Sequence, residues 1–197
     1  MIRINCEAIV RMSHLFTHAN DPEFEVLRLE DGLMIATDRS WLAAEKINHS
    51  FAGTHHIIVD EHLLAQCRVE SQFSGFLEII PNEQLQFTVG KTMTGFQTGN
   101  IGRFTPTPTF DKWRTIFQQC REPLTETSGI MVWQTHELVR LASSSPSGQI
   151  SFEEHHKIGA RPLLVRDITT PDWCGCFNGE TKDGGYHAPA ALPGWLA

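Results

Sequence analysis

The residues of this chain that could carry chemistry are few and loosely spaced. Its ten histidines include the pairs His55-His56 and His155-His156, and Cys174-Gly175-Cys176 is followed by His187. Zinc sites usually use C-x₂₋₄-C with a second matching pair. Here C-x-C stands without one, and adjacent histidines on a strand point to opposite faces. A metal-dependent enzyme is the reading such residues would support, and their spacing argues against it. Nucleophilic catalysis has less support. There is no G-x-S-x-G and no phosphate-cradling glycine loop, and Ser143-Ser144-Ser145-Pro146-Ser147 reads as a turn. Asp60-Glu61 and Glu153-Glu154 are adjacent carboxylates of the kind that mark a solvated edge. No catalytic residue, metal ligand or cofactor is therefore expected, and the chain reads as a binding protein rather than an enzyme.

Charge narrows what it can bind. The net charge is −7, whereas proteins that grip phosphates tightly are usually basic. A protein that surrounds nucleic acid loosely with a locally basic face remains compatible. The composition, 41% hydrophobic and 20% charged, is that of a globular chain. No apolar run approaches the roughly 20 residues of a membrane helix, and the N-terminus has no signal-peptide pattern. A cytoplasmic protein is expected. Cys6, Cys67 and Cys120 sit among apolar residues as small core residues, which fits a reducing compartment.

The elements follow from periodicity. Ile2-Arg3-Ile4 alternates as a short strand. Ala8, Ile9, Met12, Leu15 and Phe16 trace one face of a helix, with Arg11, His14 and His18 on another. Two apolar runs flank Glu30-Asp31-Gly32 as a hairpin. Trp41 to Ile47 extends the sheet, although Ala43-Ala44-Glu45-Lys46 alone favours helix. After the strand Ile57-Ile58-Val59, Asp60 can N-cap a helix running through Arg68. Three short strands follow, Phe76 to Ile80, Leu85 to Val89 and Met93 to Gln97. The alternating prolines of 105–109 mark an extended linker. Beyond it come an amphipathic helix with Trp113, Ile116 and Phe117, a strand at Gly129 to Trp133, and a helix at Thr135 to Ala142. Strands at Ile150 to Glu153, Pro162 to Arg166 and Cys174 to Phe177 precede a loose tail.

A weak internal repeat runs through this order. At one constant offset, Ile57-Ile58-Val59 pairs with Ile130-Met131-Val132, Ser71, Ser74 and Gly75 with Ser144, Ser147 and Gly148, and Leu77 and Ile79 with Ile150 and Phe152. Both copies read strand, helix, Ser/Gly turn, strand. One copy cannot bury both its sheet and its helix, and repetition supplies a neighbour.

Three stretches resemble DNA sliding clamps, the family of the bacterial DNA polymerase III beta subunit and its phage relatives. Leu29 to Asp38 is similar to the clamp hairpin that ends in Thr-Asp. Ile57 to Gly95 is similar to the clamp segment of strand, helix and three strands. Gly102 to Trp113 resembles the passage between clamp domains. The resemblance implies an α+β fold of helix-plus-antiparallel-strand repeats, about one and a half clamp domains. It divides the chain into a clamp-like domain at 1–104, the linker at 105–109, a shortened clamp-like domain at 110–180 and a flexible tail at 181–197. A hairpin equivalent to residues 24–47 has no counterpart after the linker. A phage origin suits such a shortened chain.

The resemblance also implies a function without chemistry. The chain would be a homo-oligomeric processivity factor encircling double-stranded DNA and holding a DNA polymerase or other replication protein on it. The DNA-facing residues would be the helix-borne Arg11, Arg68, Lys112, Arg114, Arg121 and Arg140. Trp195 and Leu196 in the tail would dock on a partner or a neighbouring subunit. The alternative is a clamp-fold adaptor that binds protein without encircling DNA.

Overall fold

The computed structural model describes residues 1–15, 26–37, 41–47, 53–80, 84–90, 92–98, 111–119, 131–132, 135–152, 163–177 and 180–181. Strand β1 (Ile2–Asn5) runs directly into helix α1 (Cys6–Met12), because the Asn5 side chain accepts the Glu7 amide at 2.8 Å and caps the helix. A 3₁₀ turn (Ser13–Leu15) ends it. Strands β2 (Val26–Glu30) and β3 (Leu33–Thr37) form the expected hairpin. Its two-residue turn puts Asp31 and Gly32 at φ 51° and 78°, the left-handed pair that a type I′ turn demands.

Strand β4 (Trp41–Lys46) keeps its helix-forming residues extended because it is hydrogen-bonded on both sides, with Ala43 and Ala44 buried. Strand β5 (Thr54–Ile58) pairs with β2. Asp60 caps α2 (Glu61–Ser71), its carboxylate accepting the Leu63 amide at 2.7 Å. Strands β6 (Phe76–Ile80), β7 (Gln84–Val89) and β8 (Thr92–Thr98) form a meander. Then come α3 (Trp113–Gln119), β9 (Met131–Val132), α4 (Thr135–Ser144), β10 (Ile150–Phe152), β11 (Leu163–Asp167), β12 (Trp173–Phe177) and β13 (Glu180–Thr181). The Pro-rich stretch 105–109 and the tail from 182 lie outside the described residues.

The strands make a four-stranded sheet, β1-β6-β7-β8, and a seven-stranded sheet, β10-β11-β12-β4-β3-β2-β5; β13 pairs with β9. All pairings are antiparallel. The large sheet joins β2, β3 and β4, which precede the first copy of the repeat, to the meander of the second copy through β4 and β12, where Ala43 lies opposite Gly175.

Period-two alternation sorts the large sheet into two faces. Leu27, Leu29, Met34, Ala36, Trp41, Ala43, Val165 and Trp173 join Ile9, Met12, Leu63, Cys67 and Leu141 in the main core, so α1, α2 and α4 share one core with this face and with Ile4, Leu77, Ile79 and Leu85 of the four-stranded sheet. Ile35, Leu42, Ala44, Leu164 and Cys176 face the other way and pack under Trp113, with Ile116 and Phe117 beside them, so α3 covers the opposite face.

The repeat is present as strand, helix, turn and three-strand meander, with one correction to its register. Buried Cys67 and Glu70 of α2 correspond to buried Leu141 and Ser144 of α4, and the left-handed residue after each helix is Ser74 in the first copy and Gly148 in the second. Each pair is one position off the alignment that matched Gly75 with Gly148. The first copy has one extra residue in its turn, Gly75.

Candidate functional site

On the three-helix face, three of the predicted cations sit on three different helices. Arg11, on α1, spends its charge within the protein. One guanidinium nitrogen donates to Glu45 on β4 at 2.7 Å and another lies 3.4 Å from Glu7. Burial raises the Glu45 carboxyl, and the Arg11 charge works against that rise. Arg68, in the last turn of α2, is exposed. Arg140, on α4, donates from Nε to the His14 carbonyl and from Nη2 to the Leu15 carbonyl, both at 3.1 Å, and so holds the end of the 3₁₀ turn.

His14 lies between the last two. Its pKa is lowered by burial first, then by the charges of Arg68 and Arg140. A lowered imidazole pKa keeps His14 neutral near pH 7. The arrangement is a local positive field on an acidic protein. It can attract a polyanion without the continuous charged groove that tight binding uses.

The structure does not bring Lys112 and Arg114 to this surface. Both lie at the start of α3, across the sheet from α1, α2 and α4. Arg114 stacks on the Trp113 ring at 4.1 Å and donates to Glu30 and to Asp31, the latter at 2.6 Å. Trp113 Nε1 and Arg28 Nε also donate to Glu30, at 3.2 and 2.6 Å, and Arg28 reaches Asp111 at 3.2 Å. Burial pushes the Glu30 carboxyl up, but the donors from Arg114, Trp113 and Arg28 outweigh it and leave the group below its usual range. This network fastens α3 to the β2–β3 hairpin. Arg121, Trp195 and Leu196 lie outside the described residues.

Sequence reasoning missed a cavity of about 370 Å³ beside α3. Leu33, Ala44, Trp113, Phe117, Leu164 and Cys174 give it apolar walls, and Lys46, Arg166 and Asp172 add charge. The sequence holds part of the signal. Trp113 and Phe117 share one helical face, and Leu33 and Ala44 occupy the alternate strand positions that face away from the main core.

The chemical candidates have structural roles. Gly175 separates the two cysteines because its Cα faces α4, where an added Cβ would stand 3.2 Å from Leu141 and 3.1 Å from Trp173. Cys174 and Cys176 belong to the face under α3. A hydrogen bond with Cys6 and then burial push the Cys67 thiol far up, so it stays protonated in the core. Ser144 and Ser145 donate to the carbonyls of Leu141 and Ala142 at 2.7 and 3.0 Å. Asp60 is a helix cap. Among the described residues, no three His, Cys, Asp or Glu side chains converge as metal ligands, and no helix is long and apolar enough to cross a membrane.

No family model and no curated protein matches the chain. Solved structures do. The DNA polymerase III beta subunit of Thermotoga maritima aligns with a TM-score of 0.54 at 11% identity, over 99% of this chain and 66% of that one. The H. pylori beta clamp in complex with diflunisal aligns at 0.53 and 10%, over 90% and 64%. The C. crescentus beta sliding clamp, with PEG at its putative beta-motif tethering region, aligns at 0.50 and 14%, over 91% and 65%. Identities this low establish a likeness of fold. The chain spans about two thirds of the length of these clamp subunits, and its helices and antiparallel sheets have the clamp arrangement.

Proposed function

We propose that this clamp-fold chain is a sliding-clamp-like processivity factor, which acts by surrounding double-stranded DNA and tethering a polymerase or another replication protein to it. One observation carries the reading. Helices α1, α2 and α4 belong to one core on the side of the large sheet away from α3, and that sheet joins β2, β3 and β4, which precede the first repeat, to the meander of the second through β4 and β12. A sheet that runs on from one segment into the next, with α1, α2 and α4 on the side away from α3, is an architecture a ring wall can use, and a ring holds DNA by topology. No bond is made or broken, so no catalytic residue is invoked.

In this reading the helix side faces DNA. Arg68 and Arg140 supply the field, Arg11 adds to it through a charge already balanced by Glu45, and Arg121 completes the DNA-facing set. Lys112 and Arg114, across the sheet, belong to the outside of the wall. The division into 1–104, 105–109, 110–180 and 181–197 gives one whole wall segment, a linker, a shortened segment and a tail. Ring closure needs further subunits, so the working form is a homo-oligomer in the cytoplasm, and a phage origin fits the shortened chain. The tail residues Trp195 and Leu196 dock on a partner or neighbouring subunit.

The test is retention on DNA. The protein should stay on nicked circular duplex and run off the same DNA once linearised. Arg68→Glu should shorten its residence on the circle several-fold, and Arg68→Glu with Arg140→Glu should abolish retention while the far-UV circular dichroism is kept. Equal retention on circle and line would refute encirclement.

A second reading is a clamp-fold adaptor that binds protein without encircling DNA. The net charge of −7 and the apolar cavity beside α3 favour it. A cavity of this volume accepts one or two apolar side chains of a client peptide. The small ligands carried by the H. pylori and C. crescentus clamps, the second at a putative tethering region, support such a use of the fold. A labelled client peptide that binds wild-type protein and not Phe117→Asp, with no retention on circular DNA, would favour the adaptor.

A further inference from the structure

Two thiols of the main core take no part in the proposed function. Cys6 is the first residue of α1, and Cys67 lies on the buried face of α2 with Leu63 and Glu70. Both are fully buried, and neither is in a disulfide.

The backbone sets them side by side. The Cys6 amide donates to the Gly75 carbonyl at 3.0 Å, and the Gly75 amide donates to the Glu70 carbonyl at 2.8 Å. Gly75 thus seats the first residue of α1 against the end of α2. Cys67 stands three residues before Glu70, which places it on the same helical face. There the two side chains meet in a thiol–thiol hydrogen bond.

The second copy of the repeat has no such pair. Leu141, a larger apolar side chain, fills the position of Cys67. Packing alone is therefore satisfied without sulfur at this place in the fold. What the first copy adds is a second thiol in contact with the first. A soft metal is one use for two thiols, but it needs both as thiolates. The hydrogen bond with Cys6 and burial hold the Cys67 thiol protonated. Joining the two sulfurs needs no charged product in the core.

We infer that Cys6 and Cys67 form a reversible redox pair, which a peroxide converts into a disulfide that locks α1 to α2. The peroxide oxidises one thiol to a sulfenic acid and releases water. The other thiol attacks that sulfur, the S–S bond forms and a second water leaves, so the two thiols supply both electrons. A protonated, buried thiol reacts slowly, so the reaction proceeds through brief local opening between the helices. The bond closes a loop of about 60 residues, which restricts the unfolded chain and hardens the fold. The inference goes beyond the clamp reading and does not depend on DNA.

The full-length reduced protein, treated with hydrogen peroxide under native conditions, then alkylated and digested, tests it. Peptide masses should show Cys6 joined to Cys67 within one chain, with circular dichroism unchanged, and dithiothreitol should restore both thiols. The bridge should raise Tm by roughly 5–10 °C. Cys67→Ala and Cys6→Ala should each abolish that rise while keeping Cys174 and Cys176 open to the oxidant. If either variant fails to fold, the wild-type peptide map decides. Cys6 and Cys67 recovered as alkylated thiols, as separate sulfinic acids, or joined to other cysteines overturn the pair. A Cys6–Cys67 bridge without a rise in Tm overturns the lock. None of these readouts involves DNA, so they judge the pair and not the clamp reading.

Discussion

The turn after the helix is closed differently in the two copies of the repeat. In the first, Gly75 is pressed against the end of α2. Its amide donates to the Glu70 carbonyl at 2.8 Å and its own carbonyl accepts the Cys6 amide at 3.0 Å. That contact ties the start of α1 to the end of α2. In the second copy the extra residue is missing, and a carboxylate arrives from another strand. Asp167 on β11 accepts the amides of Ser147, Thr169 and Thr170, each at 2.8 Å, and the Thr169 hydroxyl at 3.0 Å. The first copy has β1 and α1 in front of it to be fastened. Among the described residues the second has no strand-plus-helix of its own in that place, so its turn is organised from within. Shared topology does not require shared fastening.

The sharpest way to break this comparison is at the matched core positions. Leu141 is fully buried and packs against Gly175 and Trp173; its counterpart Cys67 is equally buried but smaller. Leu141→Ala should cost about 2–5 kcal/mol, and Cys67→Ala clearly less because fewer atoms are removed. Urea unfolding of both variants checks the order. Equal losses would mean that the two helices are not packed as equivalents.

The turns themselves come next. A Cβ on Gly75 would stand 2.7 Å from the Glu70 carbonyl oxygen, a backbone atom that cannot swing away. Gly75→Ala should therefore cost roughly 1–3 kcal/mol or more. Gly148 has open space around it but a φ of +69°, so Gly148→Ala meets only the left-handed penalty of about 1–2 kcal/mol. Thermal unfolding of the pair should rank Gly75→Ala as the more damaging.

The loss of the carboxylate at Asp167 has the most specific signature. The four donors to Asp167 outweigh the cost of its burial and hold its carboxyl well below the usual range. A carboxyl depressed in the folded state stabilises fully above its unfolded pKa of about 3.9 and loses that contribution as pH falls below it. Asp167→Asn should cost about 1–3 kcal/mol at neutral pH. The wild-type advantage should shrink as pH is lowered from 5 towards 3. A gap between the proteins that does not change with pH would mean the charge is not what holds the turn.

The candidate site is partly legible in the amino-acid sequence. Arg68 and Arg140 stand out as helix-borne cations, and the helices that carry them follow from local signals, the Asp60 cap and the apolar stripes. His14 shows in the sequence only as a neighbour of Arg11 on one helical face. Its place between Arg68 and Arg140 needs three segments to meet. Lys112 and Arg114 show the limit most clearly. Helical spacing assigns them a side of α3 but not the side of the sheet on which α3 packs. The cavity beside α3 is hidden for the same reason, since its walls come from β3, β4, β11, β12 and α3 together.

Local chemistry in the chain alone determined the Asp31-Gly32 hairpin, the capped helices, the three-strand meander and the order that both repeats share. Each depends on residues a few positions apart, where backbone propensity and side-chain period act directly. Tertiary structure decided that Ala43-Ala44-Glu45-Lys46 is a strand, that β4 joins β12, that α3 covers the outer face, and that Gly75 has no counterpart in the second turn. Those outcomes depend on which distant apolar surface and which distant backbone edge become neighbours. A sequence states that a face must be buried and an edge paired; only the folded chain supplies the partner.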